Sequence, residues 1–110
     1  MEGLVRRASA ALPSALVSNT NALHFSTIEP KVPALRCLPK RYLSYELGVV
    51  KPLPEFYQAI VQKENAKPGE MLFIDDVEEN IAAAERAGMV GFQFDGAKRL
   101  EDHLQSVGVL

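Results

Sequence analysis

Four consecutive apolar residues, Met71-Leu72-Phe73-Ile74, run straight into two adjacent carboxylates, Asp75-Asp76. A strand with one wet face would alternate apolar and polar residues. This run does not, so it predicts a strand covered on both faces, as in parallel sheets flanked by helices. The abrupt change at Asp75 marks the strand's carboxyl end as the place where chemistry would lie. Asp76 stands three residues before Glu79, a capping-box arrangement, and Val77, Ile81, Ala84 and Gly88 mark one face of the helix that follows. Glu78 and Glu79 in its first turn suit the positive end of the helix dipole.

The rest of the chain fits around that strand. Leu4, Ala8 and Ala11 recur at helical spacing before Pro13, and Ala15-Leu16-Val17-Ser18 is a short apolar run ending in polar residues. Pro30, Pro33 and Pro39 break the next stretch into loop with one short helix near 22–29, after which Arg41-Tyr42-Leu43-Ser44 predicts a second strand. Pro54 suits the first position of a helix, and Phe56/Ile60 with Tyr57/Val61 give it an apolar stripe over about 54–66, before Pro68-Gly69. Met89 to Phe94 is a further strand, Asp95-Gly96 a turn, and Leu100, Leu104 and Val107 the inner face of a last helix closed by Gly108. Strands alternating with helices through short connections predict an α/β fold with parallel strands, right-handed crossovers and helices on both faces of the sheet.

Composition narrows the partners. The chain's 110 residues are 47% apolar, enough for one domain or part of one. Twelve basic against 14 acidic residues, with no run of like charge, leave no electrostatic footprint for nucleic acid or an anionic membrane. No stretch approaches the length of apolar sequence needed to span a bilayer. Arg6, Arg7 and Ser9-Ala10-Ala11 have the flavour of an organellar transit peptide, but Glu2 and the strand-like run after them read as structure. The single Cys37 can form no intrachain disulfide and fits a reducing compartment, so a cytoplasmic location is expected.

Ligands of parallel sheets bind beyond the strands' carboxyl ends. Three such ends carry polar residues here: Ser18-Asn19-Thr20-Asn21, the loop with Gly48, Lys51 and Pro52, and Asp75-Asp76. Each alone is ordinary turn or cap chemistry. Together a hydroxyl, an ammonium and two carboxylates match a phosphate and a divalent cation: hard Mg²⁺ takes a few carboxylate oxygens, with water and phosphate completing its octahedron. One carboxylate suffices for a helix cap, and the second calls for a cation.

In order and wording, Leu16 to Asn21, Leu43 to Pro52, and Leu72-Phe73-Ile74-Asp75-Asp76 with Asn80, Ala84, Ala87, Gly88 and Met89 resemble motifs two, three and four of the haloacid dehalogenase-like hydrolase superfamily. The Ser-Asn-Thr-Asn-x-Leu-His opening is similar to its branch of sugar-phosphate phosphatases, which includes glucose-1-phosphate phosphatase and the phosphatase domain of soluble epoxide hydrolases. The resemblance implies a Rossmann-like core and Mg²⁺-dependent phosphoryl transfer through an aspartyl phosphate, with a phosphorylated small molecule as substrate. It implies that Ser18, Asn19 and Thr20 bind the phosphoryl group, that Lys51 stabilises it, and that Asp76 ligates the metal with Asp75 assisting. His24 matches a histidine that often follows motif two, and it equally suits capping or packing.

The sequence departs from the family at motif one. Members begin with a strand ending in Asp-x-Asp-x-Thr, whose first Asp is the nucleophile. Here the aspartates are Asp75, Asp76, Asp95 and Asp102, and Asp-x-Asp is absent. Residues 1–110 therefore read as a single partial hydrolase domain lacking the motif-one strand and the cap, with weak Mg²⁺ binding and no activity alone. A sheet without that strand leaves backbone groups unpaired, which predicts self-association or a complementing chain. The rival reading is a non-enzymatic interaction or regulatory fragment. A receiver-like phosphorylation module uses the same residue types, but places its acidic pair after the first strand and its lysine late, the reverse of the order here.

Overall fold

The computed structural model describes residues 2–110. In chain order its elements are α1 (Glu2–Ala11), β1 (Leu16–Ser18), α2 (Ala22–Ile28), two 3-10 turns (Glu29–Lys31 and Pro33–Cys37), β2 (Arg41–Leu43), α3 (Ser44–Leu47), α4 (Pro54–Glu64), a 3-10 turn (Pro68–Glu70), β3 (Leu72–Asp75), α5 (Glu78–Arg86), β4 (Val90–Gln93) and α6 (Ala97–Ser106). The strands are parallel, as alternation predicts, and they pair as two two-stranded sheets rather than one of four. In the first, Val17 lies opposite Tyr42; in the second, Phe73 lies opposite Gly91.

The described residues divide into two compact units. One comprises residues up to Leu43 with Gly96–Leu110, and the other Ser44–Asp95. In the first unit, Phe25, Leu35 and Leu43 form an apolar cluster with Leu16 against it. The proline-broken segment has no periodicity of its own, and Arg41 organises it. Its guanidinium lies 5.2 Å from the centre of the Phe25 ring, pairs with Glu29, and donates to the carbonyls of Leu35 (3.2 Å) and Leu38 (3.1 Å). The Leu35 carbonyl also accepts the Leu38 amide at 3.1 Å, so the guanidinium reinforces the end of that turn. Leu100 and Leu104 of α6 are buried as the pattern predicts, whereas Val107 lies beyond the helix and is exposed. The helix ends at Ser106, so Val107 is its C-cap residue and leaves the buried stripe.

The second unit is built on aromatic side chains. Pro54 starts α4, whose Phe56 and Tyr57 are wholly buried, and Asn65 ends it in the left-handed conformation at φ 52°. The Tyr57 ring meets Phe56 and Phe73 edge to face, with centroids 5.6 and 5.2 Å apart, the geometry that aromatic quadrupoles favour. Phe73 is buried, but Leu72 and Ile74, which alternate onto the other face of β3, are only half-buried. The sequence reading of a strand covered on both faces thus holds for one face. Helix α5 packs on β4 so closely that a Cβ on Gly91 would stand 2.8 Å from Ile81 Cγ2. Gly88, at φ 95°, turns the chain from α5 into β4, with the Met89 amide donating back to the Ala84 carbonyl at 3.0 Å.

Candidate active site

Within the second unit, the turn after α3 carries Lys51 and the end of β3 carries Asp75. The Lys51 ammonium donates to Asp75 Oδ2 at 2.8 Å, and the two side chains are 10% and 6% exposed. The same Asp75 oxygen accepts from Asn80 Nδ2 at 3.1 Å, while Oδ1 accepts the Val77 amide at 2.9 Å. Burial raises the Asp75 pKa, but the Lys51 ammonium and the hydrogen bonds from Val77 and Asn80 outweigh it, and the carboxyl is held below its usual range. Asn80 is buried on the first turn of α5, and its carbonyl accepts from the Tyr57 hydroxyl at 2.9 Å. Burial, then the negative charge of Asp75, pushes the Tyr57 hydroxyl up to about 12, so it stays a donor.

The capping expectation for Asp76 is corrected. Helix α5 begins after Val77 with no side-chain cap, and it is Asp75 that shapes the turn before it, accepting the Val77 amide in an i to i+2 bond. Asp76 is exposed, and its carboxylate makes no hydrogen bond or ion pair among the described residues; only its backbone carbonyl accepts, from Gln93 Nε2 at 3.3 Å. Of two adjacent acids, one is engaged by the structure and the other is exposed to solvent.

In the first unit, Ser18 ends β1 opposite Leu43 and is half-buried, with Asn19 exposed beyond it. The Thr20 hydroxyl makes a long contact to the Asn21 carbonyl at 3.4 Å, and Asn21 caps α2 by accepting the His24 amide at 2.8 Å. The structure therefore brings Lys51 and Asp75 into contact, with Asp76 beside them, and sets Ser18, Asn19 and Thr20 at the carboxyl end of β1. His24 is exposed on α2. Asn80 stands in the motif-four match, and its grip on Asp75 is what the sequence reading missed. The signal was its spacing, five residues after Asp75, one turn into the helix.

Among the described residues no group of three or more His, Cys, Asp or Glu side chains is placed to hold a metal ion. The Asp75-Asp76 pair supplies a free carboxylate and one already engaged. That donor set fits a divalent cation that draws most of its oxygen ligands from water and phosphate.

A D-ribitol-5-phosphate phosphatase of Bacteroides thetaiotaomicron is 41% identical over 49% of this chain and 26% of its own length. A flavin mononucleotide hydrolase of Arabidopsis thaliana is 33% identical over 77% of this chain and 35% of its own. In crystal form, a wild-type haloacid-dehalogenase-family enzyme from Bacteroides thetaiotaomicron, in complex with magnesium and inorganic phosphate, superposes with a TM-score of 0.78 at 28% identity, over 89% of this chain and 54% of that one. The chain thus spans about a quarter to a third of those two relatives and about half of the crystallised enzyme. With the model of the haloacid dehalogenase-like hydrolases also matching residues 5–88, the chain belongs to that family.

Proposed function

We propose that residues 1–110 are one part of a single phosphatase-type hydrolase domain, acting on a phosphorylated small molecule with Mg²⁺. The observation that carries this reading is the buried Lys51–Asp75 pair with Asp76 free beside it. Asp75, clamped by Lys51, Asn80 and the Val77 amide, fixes the end of β3. Asp76 would hold the cation with Asp75 assisting, and bound Mg²⁺ would offset charge on the phosphoryl oxygens. Lys51 donates to Asp75, and its fixed charge suits a phosphoryl oxygen as well. Ser18, whose hydroxyl makes no bond among the described residues, would donate to the phosphoryl group with Asn19 and Thr20. The names of the relatives, a ribitol-5-phosphate phosphatase and a flavin mononucleotide hydrolase, support a phosphomonoester as substrate.

Residues 1–110 contain no Asp-x-Asp, so they hold no candidate for the nucleophilic carboxylate. In this reading they are inactive alone, and a segment carrying the nucleophile must come from outside them, in the same polypeptide or another chain. The test is reconstitution. Supplying a strand that ends in Asp-x-Asp-x-Thr, fused or co-expressed, is expected to give Mg²⁺-dependent hydrolysis of an aryl phosphate. Lys51→Ala should then lower kcat by at least about a hundredfold. Activity from the 110 residues alone would overturn the assignment of a missing nucleophile. A folded, metal-binding reconstituted protein without activity would favour an interaction role instead.

A further inference from the structure

The second unit has a groove lined by residues that the hydrolase reading does not use. This groove, of about 520 Å³, runs between one stripe of α4, carrying Pro54, Gln58 and Gln62 at i, i+4 and i+8, and the face of α5 that carries Ala83, Arg86 and Ala87. Val61 and Pro68 complete its lining. The volume is that of a small-ligand pocket, and the composition suits one: mostly apolar walls with a few polar groups. Arg86 is the only charged residue among those that line it. Its guanidinium forms no hydrogen bond or ion pair among the described residues, unlike Arg41, which is bound to Glu29 and two carbonyls. Gln58 and Gln62 add amide donors on the facing helix. With no carboxylate on the groove wall, the charge of Arg86 is unbalanced there.

We propose that this groove binds a small organic carboxylate with an apolar body. The carboxylate would take the fork of Arg86 N–H groups, which matches its two oxygens. The apolar body would cover Val61, Ala83, Ala87 and Pro68, displacing water from surface that is otherwise wet. Gln58 and Gln62 would donate to any carboxylate lone pair that Arg86 leaves open. The site stands apart from the hydrolase assignment, because none of its residues is among Ser18, Asn19, Thr20, Lys51, Asp75 and Asp76.

The test is a titration of the ¹⁵N-labelled full chain with octanoate, with octanol as the uncharged control, followed by amide and Arg side-chain shifts. Octanoate is expected to move Arg86 Nε and the amides around Gln58, Gln62 and Ala87, and to bind about tenfold tighter than octanol, the size of a hydrogen-bonded charge contact. Arg86→Gln keeps a good helix former on an exposed face, and it should reduce octanoate to the affinity of octanol. Arg86→Lys, which keeps the charge and loses the fork, should fall between the two. Equal binding of octanoate and octanol to the unaltered chain would overturn the proposal, as would shifts centred on Lys51 and Asp75. A spectrum of Arg86→Gln that matches the unaltered chain outside the groove establishes that a lost response is lost binding rather than lost fold.

Discussion

The two parallel strand pairs are held by different means. Between β3 and α4 the contacts are aromatic and wholly buried, with Phe56 and Tyr57 at 0% exposure, and the strand end is locked by a buried ion pair. No residue of β1 is fully buried, and its partner β2 contributes Arg41, which holds a run of 3-10 turns together through single side-chain contacts. One unit joins its strand to a helix through edge-to-face aromatic rings, the other adds polar bonds from Arg41 to an apolar cluster of Phe25, Leu35 and Leu43. Buried apolar contact resists local opening better than isolated polar bonds, so the lysine and aspartates sit beside contacts of the more resistant kind.

Core truncation should break this comparison most sharply. Phe56→Ala removes a ring with no exposed surface and is expected to cost about 4 kcal/mol. Phe25→Ala, at a ring that also faces the Arg41 guanidinium, should cost less, because water can reach the space left behind. Denaturant titrations of both variants decide it, and equal losses would dissolve the distinction between the units.

Next in size is the ion pair. Asp75→Asn leaves the Lys51 ammonium buried without its counter-charge and should cost about 3 kcal/mol, whereas Asp76→Asn, on an exposed and unpartnered side chain, should change stability by less than about 0.5 kcal/mol. In the first unit, Arg41→Met removes the side-chain donors to the Leu35 and Leu38 carbonyls and the pair with Glu29, and is expected to cost about 1–2 kcal/mol. Hydrogen exchange should show that loss in residues 29–43 and not in β3.

The smallest effect is that of acid. Because the folded pKa of Asp75 lies below its usual value of 3.8, the stabilisation is complete above that pH and fades as pH falls through the lower, folded value. Exchange protection of the Val77 and Asn80 amides should therefore weaken in that window. Asp75→Asn should abolish the pH dependence there.

Much of the second unit could be read from its residues, because the determinants are local. Pro54 opens α4, the apolar run from Met71 leads into β3, and Gly88 turns into β4. What could not be read depends on contacts between distant residues. The two 3-10 turns have no periodicity, and the arginine that holds them lies outside the segment, 12 residues from its partner Glu29. Nor can a sequence divide labour between adjacent acids. Asp76-x-x-Glu79 has the spacing of a capping box, yet Asp75 bonds the Val77 amide, because Lys51 and Asn80 also draw that carboxylate inward. The number of strands in each sheet was equally hidden, since pairing is set by packing and not by any one strand's pattern.

The division between Asp75 and Asp76 is the centre of the account, and a Mg²⁺ titration of the unaltered chain and of Asp76→Asn, read from backbone amide shifts, tests it most directly. The account predicts millimolar-range shifts at Asp76, Val77 and their neighbours in the unaltered chain, and their loss in Asp76→Asn with the melting curve unmoved. Shifts that persist unchanged in Asp76→Asn would contradict it.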